Sequence, residues 1–115
     1  MKILIVDDEH LDLFITKKLL SLEFQVEGFT SLNEALQWSE SNSFDVLLSD
    51  YYLGNGIHAH DVLKAIANQK TDPFKAIVLS NHIDEQQAQA LRNAGFTGII
   101  EKPITIEKFK ETVAS

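Results

Sequence analysis

Short apolar runs alternate along this chain with stretches whose apolar residues recur at helical spacing. Ile3-Leu4-Ile5-Val6 is a continuous apolar run, the signature of a strand buried on both faces. Leu11, Phe14, Ile15 and Leu19 then follow a helical period, and Phe24 to Phe29 reads as a second, more exposed strand. Ser31 and Glu34 form a capping-box pattern that starts a helix through Leu32, Ala35 and Leu36. The run Phe44-Asp45-Val46-Leu47-Leu48 predicts a third strand ending at Ser49-Asp50, and Gly54-Asn55-Gly56 predicts a turn, since both residue types tolerate positive φ. Val62, Leu63 and Ile66 mark a third helix, broken by Thr71-Asp72-Pro73. Ala76-Ile77-Val78-Leu79 is a fourth strand ending at Ser80. Asp84 opens a fourth helix carrying Ala88 and Leu91, with Gly95 suited to its C-terminal cap. Phe96 to Ile100 predicts a fifth strand ending near Lys102-Pro103, and Ile106, Phe109 and Val113 give a last helix one apolar face.

A strand followed by a helix, repeated to the end of the chain, predicts an α/β fold: a flavodoxin-like, doubly wound, five-stranded parallel sheet with helices on both faces, (βα)5. The chain has 115 residues, so 1–115 is expected to form a single domain with one core and no effector domain beside it. Ligands of such sheets bind beyond the carboxyl ends of the strands, where the strand order switches.

Composition narrows the chemistry. A formal net charge of −7 with no basic run argues against direct nucleic-acid binding, which draws its affinity from Lys and Arg meeting phosphates. The absence of cysteine excludes disulfides, thiolate metal sites and cysteine catalysis. The first apolar run is too short for a signal peptide and ends at Asp7-Asp8-Glu9, and no stretch approaches a membrane span. A cytoplasmic protein without membrane contact is expected.

The polar residues at the strand ends carry the chemistry. Asp7 and Asp8 end the first strand, Asp50 the third, Ser80 the fourth and Lys102 the fifth, all at the same edge of the sheet. Three crowded carboxylates repel one another unless a cation is shared or protons are taken up. A hard divalent cation with oxygen ligands answers that need, and Mg²⁺ suits a site of carboxylates, waters and a phosphate oxygen. One carboxylate is then free to attack phosphorus, while Lys102 and the Ser80 hydroxyl stabilise the equatorial oxygens.

In these motifs the chain resembles the receiver domain of two-component response regulators over essentially its whole length. The matching features are Asp7-Asp8 after Ile-Leu-Ile-Val, Asp50 after Val-Leu-Leu-Ser, Ser80 after Ile-Val-Leu, and Lys102-Pro103 after Ile-Ile-Glu. The resemblance implies a regulatory domain rather than an enzyme, with Asp50 as phosphoacceptor. It implies Mg²⁺, or Mn²⁺ in its place, held by Asp7, Asp8, Asp50 and the backbone carbonyl of Tyr52. A cis peptide between Lys102 and Pro103 is implied too. The implied donor is a phosphohistidine on a sensor histidine kinase or histidine phosphotransfer protein. A downstream protein partner would read the surface around the fourth helix, fifth strand and last helix, and homodimers formed on activation are common in the family.

Three positions depart from the family pattern. Many receivers carry Tyr or Phe three residues before the lysine, a ring that turns inward on activation; here that residue is Ile99. The residue after the strand-four hydroxyl is usually small; Asn81 is expected to narrow access to Asp50. The loop after Asp50 runs Tyr51-Tyr52-Leu53-Gly54 where a Met-Pro pair is usual, and the Tyr52 ring is expected to shield a phosphoryl group from water.

Other polar residues have plainer readings. His58-Ala59-His60 is expected to be a solvated loop pair rather than a metal site, and His10 and His82 to be exposed. Trp38 is expected to cover the edge of the core, and Gln86, Gln87 and Gln89 to form a solvated helix face. Three rival functions are weighed: a flavodoxin-like cofactor binder, disfavoured because Asp7-Asp8-Glu9 would repel a phosphate; a pseudo-receiver that binds partners without phosphorylation; and a phosphatase, disfavoured because its paired aspartates would not be adjacent.

Overall fold

The computed structural model describes residues 1–70 and 72–115; Thr71, part of the expected helix-breaking turn, lies outside them. The elements are β1 (Lys2–Val6), α1 (His10–Leu20), β2 (Gln25–Phe29), α2 (Leu32–Ser39), β3 (Val46–Asp50), α3 (Ala59–Gln69), β4 (Lys75–Ser80), α4 (Glu85–Ala94), β5 (Gly98–Glu101) and α5 (Ile106–Ala114). The five strands are parallel and lie in the order β2-β1-β3-β4-β5. This is the doubly wound sheet expected from the alternating pattern.

The sheet divides the core in two because successive side chains of a strand point to opposite faces. Leu4, Val6, Leu47 and Val78 pack with Ala35, Val62, Ile66 and Leu91 of α2, α3 and α4. Ile3, Ile5, Leu48, Ile77 and Leu79 pack on the other face with Leu13 and Leu20 of α1 and Phe109 of α5. β1, β3 and β4 are nearly continuously apolar because both faces are covered, whereas β2 lies at an edge and is only partly buried. Trp38 packs between Phe29 and Phe44 at the margin of the core, as expected.

Local signals set the helix ends. Ser31 accepts from the Glu34 N–H at 3.2 Å and starts α2. Asp84 and Gln87 cap each other reciprocally at α4, with the Gln87 N–H donating to Asp84 at 2.8 Å and the Asp84 N–H donating to Gln87 at 3.0 Å. Gly95 closes α4 at φ 116°, a conformation open to glycine at little cost. Phe96 therefore belongs to this cap, where its N–H meets the Leu91 carbonyl, and β5 begins only at Gly98.

Of the four residues that mark the helical period of α1, Leu19 alone packs against the core. Leu11, Phe14 and Ile15 are exposed at 68%, 57% and 53%, and the buried residues are Leu13, Thr16 and Leu20. Both sets fit a helical period because α1 is apolar on more than one side. Gly28 on β2 selects between them: a Cβ there would lie 2.6 Å from the Leu13 Cδ1, so the missing side chain is the seat for Leu13.

Candidate functional site

Strand register brings the polar residues together. Val6 pairs with Ser49, so Asp7 and Asp50, each one residue further on, end neighbouring strands side by side. Ser80 pairs with Glu101, and the Lys102 N–H donates to the Ser80 carbonyl at 2.8 Å, which places the lysine at the same edge. The order of strands reverses between β1 and β3, so the crevice lies at the topological switch point.

Among the described residues, Asp7, Asp8 and Asp50 form the one group of metal-ligating side chains, offering oxygens that all lie within 4.8 Å of one another. Asp7 is 1% exposed; its Oδ1 accepts from the Glu9 N–H at 3.0 Å, while its Oδ2 has no hydrogen-bond partner. A buried carboxylate oxygen left in that condition calls for a cation. Gly54, at φ 82°, passes beside the third carboxylate: a Cβ there would stand 3.6 Å from the Asp8 Oδ2. In the same loop the Ala59 N–H bonds the Tyr51 carbonyl and the Leu53 N–H bonds the Ile57 carbonyl, and no hydrogen bond among the described residues engages the Tyr52 carbonyl. The donor set is hard oxygen throughout and fits Mg²⁺ or Mn²⁺.

The lysine bridges the crevice. Its Nζ lies 2.9 Å from the Asp12 Oδ2, 3.4 Å from the Asp50 Oδ1 and 3.7 Å from the Asp7 Oδ2. Burial works against its charge, but the Asp12 hydrogen bond and the charges of Asp50 and Asp7 outweigh that and hold the ammonium above its ordinary pKa. Burial raises the Asp50 carboxyl, with Lys102 and the Tyr51 N–H opposing. Asp7 is pushed up from 3.8 to about 6, chiefly by burial, against the Glu9 N–H, with repulsion from Asp50 adding to the rise.

A folded pKa above the unfolded one means that the native protein keeps a proton which the unfolded chain has released. Between 3.8 and about 6 the contribution of Asp7 to stability therefore falls as pH rises, and the full penalty is present above that window. The metal-free protein is expected to melt at a lower temperature at about pH 7.5 than at about pH 5, and Asp7→Asn to flatten that slope. Melting curves of the two proteins at both pH values check this; an unchanged slope in the variant would assign the effect elsewhere.

Ser80 is 6% exposed, and its hydroxyl donates only a long 3.4 Å bond to the His82 carbonyl, which leaves it free to take a better acceptor. Asn81 is exposed and lines, with Asp12, Ile15 and Lys102, a cavity of about 290 Å³ beside the crevice. Ile99 is half-buried against the α3 and α4 side of the core. The Tyr52 ring is 47% exposed and tied into its own loop, where its hydroxyl accepts from the Gly56 N–H at 3.1 Å and the ring packs on His58 at 4.8 Å. His58 precedes α3, and its N–H donates to Asp61 at 2.9 Å, a bond that lowers the pKa of that carboxyl. The pair His58 and His60 stacks at 5.7 Å and joins no metal-ligating group among the described residues. The Lys102–Pro103 peptide bond is cis.

Two residues escaped the sequence reading. Asp12, in the first turn of α1, is the nearest partner of Lys102. Gln87 is not part of a solvated face: it is half-buried, caps α4 and reaches the Tyr51 hydroxyl at 3.4 Å.

The structure is a parallel doubly wound α/β sheet that gathers three carboxylates, a hydroxyl and a lysine at the carboxyl ends of its strands. The sequence matches the response regulator receiver domain family over residues 3–114, and the chain belongs to that family. It is similar to a response regulator receiver domain protein from Clostridium thermocellum, at 28% identity over 98% of this chain and 90% of that one, with a TM-score of 0.83. A CheY-like receiver domain protein from Methanospirillum hungatei JF-1 is 25% identical over 98% of this chain and 90% of its own, also with a TM-score of 0.83. A response regulator protein from Burkholderia pseudomallei, whose structure holds a phosphorylated aspartic acid, a calcium ion and citrate, shares the fold at 19% identity, with a TM-score of 0.83 over 96% of this chain and 65% of that one. No curated protein matches the chain in sequence. Membership sets aside the cofactor-binder and phosphatase readings: the chain is a receiver domain of the response-regulator type.

Proposed function

We propose that residues 1–115 form one cytoplasmic receiver domain whose Asp50 accepts a phosphoryl group in a Mg²⁺- or Mn²⁺-dependent reaction from a sensor histidine kinase or histidine phosphotransfer protein. The observation that carries this is the convergence of Asp7, Asp8 and Asp50 within 4.8 Å, with the Lys102 Nζ at 3.4 Å from Asp50. The phosphorylated aspartic acid and calcium ion of the Burkholderia pseudomallei relative support it.

In this reading Asp7, Asp8, Asp50 and the Tyr52 carbonyl hold the cation. When bound, it screens the carboxylates and the phosphoryl oxygens from one another. A carboxylate oxygen of Asp50 forms the new O–P bond as the P–N bond to the donor imidazole breaks, and the electron pair returns to that imidazole nitrogen. Lys102 balances charge on the phosphoryl oxygens, and Ser80 donates its hydroxyl hydrogen to one of them. Exposed Ile15 of α1 lines the cavity beside Lys102 and, with Leu11 and Phe14 exposed on the same helix, offers the donor protein an apolar contact.

Output follows from Ser80 moving toward the phosphoryl group and shifting a pre-existing equilibrium in α4 and β5. Ser80→Ala should leave Mg²⁺ affinity within about twofold of wild type while removing the response of α4 to the phosphoryl mimic beryllofluoride. Amide resonances of Glu85–Ala94 report this, and equal loss of metal binding and response would sink the role given to Ser80. The alternative, a pseudo-receiver binding its partners without phosphorylation, rests on Ile99 and Asn81.

A further inference from the structure

The strongest polar contact of Lys102 is not with the phosphoacceptor. Asp12 holds its Nζ at 2.9 Å, against 3.4 Å for Asp50 and 3.7 Å for Asp7. Asp12 is not a strand-end residue: it projects from the first turn of α1, and its side chain is 35% exposed where that of Lys102 is 15% exposed. A largely buried ammonium must find acceptors. Without Asp12, the nearest anionic ones are the Asp50 Oδ1 and the Asp7 Oδ2, and the latter is the buried oxygen that has no hydrogen-bond partner. A lysine drawn fully onto those two oxygens would compete with a divalent cation for them, since two cations sharing one pair of carboxylates repel each other.

We propose that Asp12 is a positioning residue that draws the Lys102 ammonium to the α1 side of the crevice, so that lysine and divalent cation occupy the acidic site together. The inference rests on the metal-dependent reading above and adds a residue that acts on the cation only through Lys102. It divides the acidic charge between two tasks. One carboxylate anchors the lysine, and the group Asp7, Asp8 and Asp50 is left to the metal.

Calorimetric titration with Mg²⁺ of four folded proteins tests this: wild type, Asp12→Asn, Lys102→Ala and the double variant. Asp12→Asn is expected to raise the Kd about tenfold, because the released lysine settles on Asp50 and Asp7. Lys102→Ala is expected to lower the Kd, and adding Asp12→Asn to it should change the Kd by no more than about twofold. An unchanged Kd in Asp12→Asn would overturn the proposal. So would the same tenfold loss in the Lys102→Ala background, which would make Asp12 a direct partner of the cation. A wild-type protein that takes up no Mg²⁺ would instead sink the phosphoacceptor reading, and this inference with it.

Discussion

Replacing Lys102 with alanine is expected to slow phosphoryl uptake by about 10²- to 10³-fold, the scale of losing one fixed charge or donor aimed at a developing anion. Phosphoryl transfer asks the protein mainly for position and charge, and Lys102 is the one cation within 4.0 Å of Asp50 among the described residues. It sits 15% exposed in the crevice, where water screens it poorly, and the carboxylates of Asp12, Asp50 and Asp7 keep it charged against the cost of burial. Lys102→Met tests the same charge while keeping an apolar stem. Both variants should bind Mg²⁺ at least as well as wild type, because a competing cation has gone. Rates of phosphorylation by a small phosphodonor at saturating Mg²⁺ separate the two effects. A variant that keeps the wild-type rate would remove Lys102 from the reaction and leave it a structural ion-pair partner.

The largest single effect belongs to Asp50. Asp50→Asn keeps the size of the side chain and removes the nucleophilic carboxylate, so covalent uptake at this position should vanish. The fold should survive. Asp50 is half-buried at the end of β3, and the strand itself is held by Val46, Leu47 and Leu48, all at most 1% exposed. Stability at neutral pH should even rise in the metal-free protein, because burial, with a smaller push from Asp8, holds Asp50 above its ordinary pKa and makes its charge costly to fold. An acyl phosphate that persisted in Asp50→Asn would mean that a neighbouring carboxylate, such as Asp7 or Asp8, accepts the group.

The central strands were legible because a strand covered on both faces cannot be polar on either, and Ile3–Val6 and Ala76–Leu79 have no other reading at that length. Once those strands are parallel, their C-terminal residues share an edge, which brings Asp7, Asp50, Ser80 and Lys102 together. The face of α1 was not legible. Leu11, Phe14 and Ile15 also recur at helical spacing, and the choice depends on a missing side chain at Gly28 on β2. Asp12 escaped for a related reason: attention to strand ends passes over a helix, and only the rotation of α1 turns that carboxylate toward Lys102. Gln87 was within reach, since Asp84 followed three residues later by Gln is a capping-box signal in its own right. The setting of the Tyr52 ring, folded back on Gly56 and His58, depends on the closure of a tight loop, which composition does not specify.

The role proposed for Asp50 is that of a phosphoacceptor that works only with a divalent cation beside it. Intact mass after incubation with acetyl phosphate, with and without Mg²⁺, and with Asp50→Asn alongside, tests that claim most directly. A single phosphoryl adduct is expected on the wild-type protein, requiring Mg²⁺ and absent from Asp50→Asn. No adduct under conditions that preserve acyl phosphates, or the same adduct without Mg²⁺ or in Asp50→Asn, would contradict it.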